Sequence, residues 1–390
     1  MRKISLKMEE IEMQNIKQIF VLSFIFVIVL LALPANAQFA IKRDINIPDI
    51  SGYTTLKCDF HMHTVFSDGS VWPTVRIDEA WREGLDAIAI TDHIEVQPHK
   101  TDIPTNHNRP YELAIAHANE MGIILIRGAE ITRDMPPGHY NALFLNDINP
   151  LDTKEWKDSI KAAVDQGAFI FWNHPGWPAG KSIWYPEHEE LYKKGWVKGV
   201  EVINEYEYYP EALGWCLEKN MTIIGNSDVH EPINMAFDLQ NDGHRPLTLV
   251  FAKEKNSEGI KDALMSQRTA VYWKNMIIGD KKYLNEIFNG SIKIVNSNIT
   301  VNNNGYCNIQ ILNNSDINYE LIPDGDINKI DTANNIIIPA NTLSIVTTRI
   351  KTDGLSGSKE VNLPFRVKNL IISPDQYLPV SIALSINFAK

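Results

Sequence analysis

Two histidines stand two residues apart in His61-Met62-His63, and Asp68 follows in the turn Ser67-Asp68-Gly69. An apolar run, Leu56–Phe60, leads into them. Residues two apart on a strand project to the same side. His61 and His63 therefore aim two imidazoles at one point, and the Asp68 turn can bring a carboxylate back toward it. Imidazole nitrogen with carboxylate oxygen is ligand chemistry for zinc, manganese or iron. A lone His-x-His serves equally as a surface or core pair, so the rest of the chain decides its meaning. Ligand-type residues recur after apolar runs. Thr91-Asp92-His93 follows Ala87–Ile90, Glu130 follows Ile123–Gly128, and His174 follows Ala168–Trp172 in Asn173-His174-Pro175-Gly176. Asp228 and His230 follow Thr222–Ile224 and repeat the two-residue spacing. His139, in Gly138-His139-Tyr140-Asn141, enters a strand and must reach inward from a loop.

The elements that must position these groups alternate. Short apolar runs predict the strands just named and others at Tyr140–Leu145, Val200–Ile203 and Leu247–Phe251. Amphipathic runs between them predict helices at Thr74–Glu83, Tyr111–Met121, Thr153–Gln166, Pro186–Lys194, Pro210–Lys219 and Ser257–Ser266. Gly84 and Gly122 are placed to end two of these helices, and Asp152-Thr153 to cap a third. Such alternation predicts a parallel α/β fold, and the number of repeats suits a barrel. The C-terminal strand ends of a barrel converge on one face, where active sites sit. After about Lys281 the composition changes. All 11 histidines lie between His61 and His244, tryptophan stops at Trp273, and short β-rich runs separated by turns such as Asp324-Gly325 and Asp353-Gly354 predict a small all-β sandwich. It offers no reactive constellation and reads as a packing or oligomerisation module.

His-x-His-Thr-x-x-Ser-Asp-Gly, Thr-Asp-His, Asn-His-Pro and Ser-Asp-x-His, in this order, resemble the motifs of PHP (polymerase and histidinol phosphatase) domains. The resemblance spans about Tyr53 to Tyr272. It implies a distorted (β/α)7 barrel over 53–275, followed here by the sandwich at 281–390, and two or three divalent metal ions (Mn, Fe or Zn). Carried onto this chain, it implies one ion held by His61, His63, Glu130 and Asp228. A second would be held by Asp68, His93 and His230. A third would be bridged by Glu130 and completed by His139 and His174. Three divalent ions against three carboxylates leave a positive pocket that calls for an anion. The expected reaction is attack of metal-bound hydroxide on the phosphorus of a small phosphate ester, a monoester ahead of a diester. A barrel that only binds metal or ligand is the competing class.

Other groups have less direct parts. Asp92 either orients a ligand imidazole or caps its own loop. Arg133 is placed to clamp a phosphate oxygen, with Lys181 as a weaker candidate. Ser67 and Ser227 read as turn residues without an adjacent free base. Trp172, Trp177 and Trp184 read as core and pocket wall. His99 and His107 read as surface residues, and His117, His188 and His244 have no assigned role.

The net charge of −11 argues against nucleic acid as a structural partner. Three widely spaced cysteines form neither a zinc motif nor a disulfide scaffold. The apolar run Ile19–Leu33, followed by Ala35-Asn36-Ala37, predicts a signal peptide over 1–37, with Gln38 as the first mature residue and Met13 as the translation start. The expected location is therefore the periplasm or the extracellular space, with no membrane insertion after cleavage.

Overall fold

The computed structural model describes residues 42–388 except 242, 302–304, 325–329, 332 and 351–355; the signal peptide expected over 1–37 lies outside the described residues. Among the described residues no helix is long and apolar enough to cross a membrane.

Strands β1 (Thr54–Asp59), β2 (Ala87–Ile90), β3 (Ile124–Ile131), β4 (Tyr140–Leu143), β5 (Phe169–Trp172), β6 (Gly199–Asn204) and β8 (Thr222–Asn226) follow one another round a ring, with β7 (Glu207–Tyr208) hung on β6 as a short hairpin. The ring closes beyond the regular strands. Asp228 N–H donates to the His61 carbonyl at 2.9 Å and His63 N–H to the Val229 carbonyl at 3.0 Å. At the opposite end β9 (Leu247–Ala252) wedges in, antiparallel to β1, and Thr248 Oγ1 bonds the Gly225 backbone of β8. The barrel is therefore splayed at its base and shut at the end that carries the motifs.

The sheet is mixed, not parallel throughout. β4 runs antiparallel to both β3 and β5, and β9 antiparallel to β1. The reason is the connection. Parallel neighbours need a long crossover, but no helix lies between β3 and β4, so the chain turns straight back. Elsewhere helices fill the connections: α1 (Pro73–Glu83), α2 (Arg109–Met121), α3 (Trp156–Asp165), α4 (Pro186–Lys193) and α5 (Pro210–Lys219); α3 joins the antiparallel β4 and β5, and the others join parallel pairs. Pro73 and Pro110 stand in their first turns, and Gly84 and Gly122 close α1 and α2 in the left-handed conformation. Asp152-Thr153 does not cap α3, which starts after Glu155. Two further helices follow β8, α6 (Ile233–Ala236) and α7 (Ser257–Met265).

Strands β10 (Thr269–Trp273) and β11 (Met276–Gly279) extend the sheet beyond β9 as a hairpin. The segment after Asp280, read from sequence as β-rich, opens with a helix, α8 (Lys281–Ser291). It buries Tyr283, Leu284, Ile287 and Phe288, a 3.6-residue stripe hidden among the asparagines of this region. The C-terminal part is a two-sheet sandwich. In one sheet β12 (Tyr306–Asn313) pairs with β13 (Thr342–Ile350); the other is built on the long pair β14 (Gly357–Ser373) and β15 (Gln376–Phe388). Burial alternates along β12 and β13, as expected of half-buried strands. β14 also pairs in parallel with β11, at Ile277–Leu370 and Ile278–Ile371, so the sandwich continues the barrel's own sheet.

Candidate metal centre

The motif strands place their ligand-type residues at or just past the end of the regular ladder. Met62 turns into the core while His61 and His63 on either side of it are fully buried and face each other, ring centroids 5.2 Å apart. The two-residue spacing thus acts as read. Asp228 arrives from the neighbouring strand, in a left-handed conformation (φ +51). Its Oδ1 lies 3.0 Å from Nε2 of both His61 and His63, and Glu130 Oε2 lies 3.1 and 3.2 Å from the same two atoms.

The protons of this cluster can be deduced. Glu201 is wholly buried in the middle of β6, and its Oε1 accepts from His61 Nδ1 at 2.9 Å. His61 Nδ1 therefore carries the hydrogen and Nε2 presents its lone pair. That lone pair faces two carboxylate oxygens at hydrogen-bond distance, an arrangement that requires a cation or an added proton between them. Cross-distances of 3.0–3.2 Å suit donors gathered round an ion with bonds of about 2.0–2.2 Å. The donor set thus fits a divalent metal. His230 repeats the device: its Nδ1 donates to the Asp228 carbonyl at 2.8 Å and its Nε2 faces Asp68 at 3.3 Å.

Three groups of ligand atoms result. His61, His63, Glu130 and Asp228 form the first, as the resemblance implied. The second holds Asp68, His93 and His230, with His63 beside them. The third differs from expectation, with Glu130 and His139 joined by His93. His93 stands between carboxylates, Nδ1 3.1 Å from Glu130 and Nε2 3.5 Å from Asp68. His174 stands further off, its Nε2 3.8 Å from Glu130 and its buried Nδ1 without a hydrogen-bond partner.

Charge follows the geometry. Burial disfavours the charged form of His61, yet Asp228, Glu201 and Glu130 together raise its pKa well above the ordinary value. Burial likewise opposes the rise at His63, where Asp228 and Glu130 carry it to about 9. Burial would raise the carboxyls of Glu130 and Asp228, but the surrounding imidazoles hold both well below the usual range. Burial, outweighing its carboxylate neighbours, pushes His93 down to about 4.

Two residues with alternative readings have their partners shown here. Asp92 touches no imidazole: its carboxylate accepts from Thr64 N (2.6 Å), Thr64 Oγ1 (2.7 Å) and Ser67 Oγ (2.7 Å), so it braces the loop that carries Asp68. Arg133 lines the cavity but pairs with Glu95 and donates to the Thr132 and Thr153 carbonyls at 2.7 and 3.1 Å, so its fork is already committed. Lys181 is exposed and outside the cavity lining. Ser67 and Ser227 donate to Asp92 and Asp59 and stay turn residues.

Sequence reasoning missed Glu201, Asn204 and Arg76. Glu201 and Asn204 carried a signal, since polar residues inside an apolar strand are rare unless paired. Arg76 looked like any helix residue. It is fully buried and bonds the carbonyls of His63, Val229, His230 and Glu231, tying the two motif strands together.

The cluster opens into a cavity of about 870 Å³. Trp172 is core, whereas Trp177 is 53% exposed at the cavity wall, its ring 5.2 Å from His139 and 5.4 Å from His174. Glu205 and Glu207 also line the cavity.

Comparison with known proteins agrees with this architecture. Residues 59–299 match the PHP domain and residues 292–383 an Ig-like domain. A two-domain protein from Bacteroides vulgatus, described as containing a predicted PHP-like metal-dependent phosphoesterase, is 44% identical, with a TM-score of 0.83 over 88% of this chain and 99% of that one. A putative metal-dependent phosphoesterase from Bifidobacterium adolescentis shares 15% identity, with a TM-score of 0.39, over 54% of this chain and 96% of that one. An amidohydrolase from Chromobacterium violaceum shares 15%, with a TM-score of 0.35, over 45% and 88%. The last two are too distant to bear on function. No curated protein matches the chain. A histidine–carboxylate cluster on a closed, mixed barrel, a family match across most of that barrel and a relative alike over both parts lead to one statement: this chain belongs to the PHP family and carries an Ig-like domain behind its barrel.

Proposed function

We propose that this protein is an exported metal-dependent phosphoesterase acting on a small phosphate monoester. The observation that carries the reading is the convergence of the Nε2 atoms of His61 and His63 on Glu130 and Asp228 oxygens at 3.0–3.2 Å. The residues that would hold two or three divalent ions (Mn, Fe or Zn) are those of the three groups above, with His174 able to join Glu130 and His139. When bound, such ions supply Lewis acidity and activate water at neutral pH.

The chain's own residues do the rest. Glu201 holds the His61 proton on Nδ1 and keeps Nε2 free. Asp92 and Arg76 brace the two loops that carry Asp68 and His230. Neither Ser67 nor Ser227 is set up as a nucleophile, because both are bonded to carboxylates that structure the turns. Counting Glu201 with Asp68, Glu130 and Asp228, three ions leave roughly two positive charges, which suits the dianion of a phosphate monoester. Trp177 offers an apolar wall for the organic part. The width of the cavity supports phosphodiester hydrolysis as a second reading, since about 870 Å³ lies near the upper end of small-molecule sites.

Release of nitrophenol from mono- and bis-nitrophenyl phosphate, with manganese and with chelator, tests both readings. Turnover that needs metal and disappears in His61→Ala and Asp228→Ala supports the site. Absence of turnover on either ester, in protein shown by elemental analysis to hold metal, removes the enzymatic reading. The export component is tested by N-terminal sequencing of the mature protein.

A further inference from the structure

His139 is a candidate ligand that precedes its strand. It enters β4 from the loop Thr132–Gly138, which is held at its ends by Thr132 N–H donating to Glu95 at 2.9 Å and Asn173 N–H donating to the His139 carbonyl at 3.0 Å. The segment before it is Met135-Pro136-Pro137-Gly138. Two prolines in a row bring carbonyls but no N–H, so the buried Pro137 carbonyl needs a donor from elsewhere.

The donor is His188 in α4. It is 3% exposed, and its Nε2 lies 2.8 Å from the Pro137 carbonyl. Its Nδ1 accepts from Tyr185 N–H at 3.0 Å, at the start of the same helix. A backbone amide can only donate, so Nδ1 must be bare and the hydrogen sits on Nε2. Both ring nitrogens are thus committed and the tautomer is fixed. Burial pushes the His188 pKa down to about 4, which keeps the ring neutral through the physiological range.

The same ring lies against Trp172, with centroids 3.7 Å apart and planes at 24°. Trp172 ends β5 two residues before His174. It also presses on the proline loop: a Cβ at Gly138 (φ +80) would meet Trp172 Nε1 at 3.2 Å and Met135 Cε at 2.6 Å. One buried imidazole therefore touches the loop that delivers His139 and the strand that delivers His174, whose rings meet edge to face at 4.8 Å.

We infer that His188 is a positioning residue that ties His139 to His174 and sets how these two rings face a divalent ion shared with Glu130. This rests on the metal-centre reading above. The test uses the full-length mature protein. Manganese binding to wild type, His188→Phe and His188→Gln is followed by calorimetry and elemental analysis. Phenylalanine keeps the stacking and loses both hydrogen bonds; glutamine can reproduce both. In His188→Phe one manganese equivalent weakens by about 10- to 100-fold, the range for groups that orient a ligand from behind. The other equivalents keep their affinity, and His188→Gln restores the weakened one. Equal affinity in wild type and His188→Phe overturns the inference, as does equal loss in both variants, which would mark a role in packing alone.

Should His188→Phe fail to fold, imidazole ¹⁵N spectra of the wild type during zinc titration decide. The His188 resonance is expected to move with the same zinc equivalent that moves His139 and His174. If it stays still while theirs move, the inference fails and the metal centre stands. If no ligand resonance moves, the metal centre itself fails, and this inference with it.

Discussion

Glu201→Gln changes one atom and no volume, yet it is expected to disable a ligand. The carboxylate is fully buried and accepts four hydrogen bonds: His61 Nδ1 and Asn226 Nδ2 on Oε1, each at 2.9 Å, and His174 N and Asn204 Nδ2 on Oε2, each at 2.8 Å. An amide must turn its NH₂ toward one of these pairs. The backbone N–H of His174 cannot reverse, so the amide oxygen stays on that side and the NH₂ faces His61. His61 can then only accept at Nδ1, which moves its hydrogen to Nε2, the atom directed at Glu130 and Asp228. A protonated Nε2 is no longer a ligand. Two routes give similar magnitudes. Losing a hydrogen bond to a charged group costs about 1.5–3 kcal/mol. Losing the group that orients a metal ligand costs about 10- to 100-fold in affinity, or about 1.4–2.7 kcal/mol. Calorimetric titration of manganese into wild type and Glu201→Gln measures this directly, with circular dichroism confirming the fold. Affinity within about twofold of wild type, a difference of about 0.4 kcal/mol, would refute the tautomer argument.

Two other perturbations follow from the same geometry. Arg76→Met removes four donors to carbonyls on the motif strands and leaves Glu79 without its 2.7 Å partner; it is expected to cost about 3–5 kcal/mol in urea unfolding, and a loss below about 1 kcal/mol would show the clamp to be dispensable. In chelator-treated protein His63 has a folded pKa of about 9, above the roughly 6.5 of an unfolded chain. Its contribution is therefore complete below about pH 6.5 and lost as pH rises through 9, so metal-free protein should melt lower at pH 9.5 than at pH 6.5. A metal-free melting temperature that rises across this interval would contradict the charge assignment.

Strands were readable where short apolar runs ended in a ligand motif, as at Ala87–Ile90, and helices where a glycine marked the boundary, as at Gly84 and Gly122. The direction of β4 was not. Alternation of strand and helix predicts parallel neighbours, and the missing helix between Glu130 and His139 becomes decisive only once the strands are paired. α8 escaped because the surrounding composition is β-rich and its apolar stripe was not separated from it.

For the site, residue type and spacing were enough to nominate His61, His63, His93, Glu130, His174, Asp228 and His230, because a two-residue period and a strand-end position are local properties; Asp68 and His139 were nominated from an adjoining turn and loop. What those groups bond to is not local. Whether Asp92 meets an imidazole or a loop, whether the Arg133 fork is free, and which nitrogen of His61 holds its hydrogen depend on Thr64, Glu95 and Glu201, which come from other parts of the chain. Only the folded barrel brings them within 3 Å or so, and protonation and hydrogen bonding act only at that range.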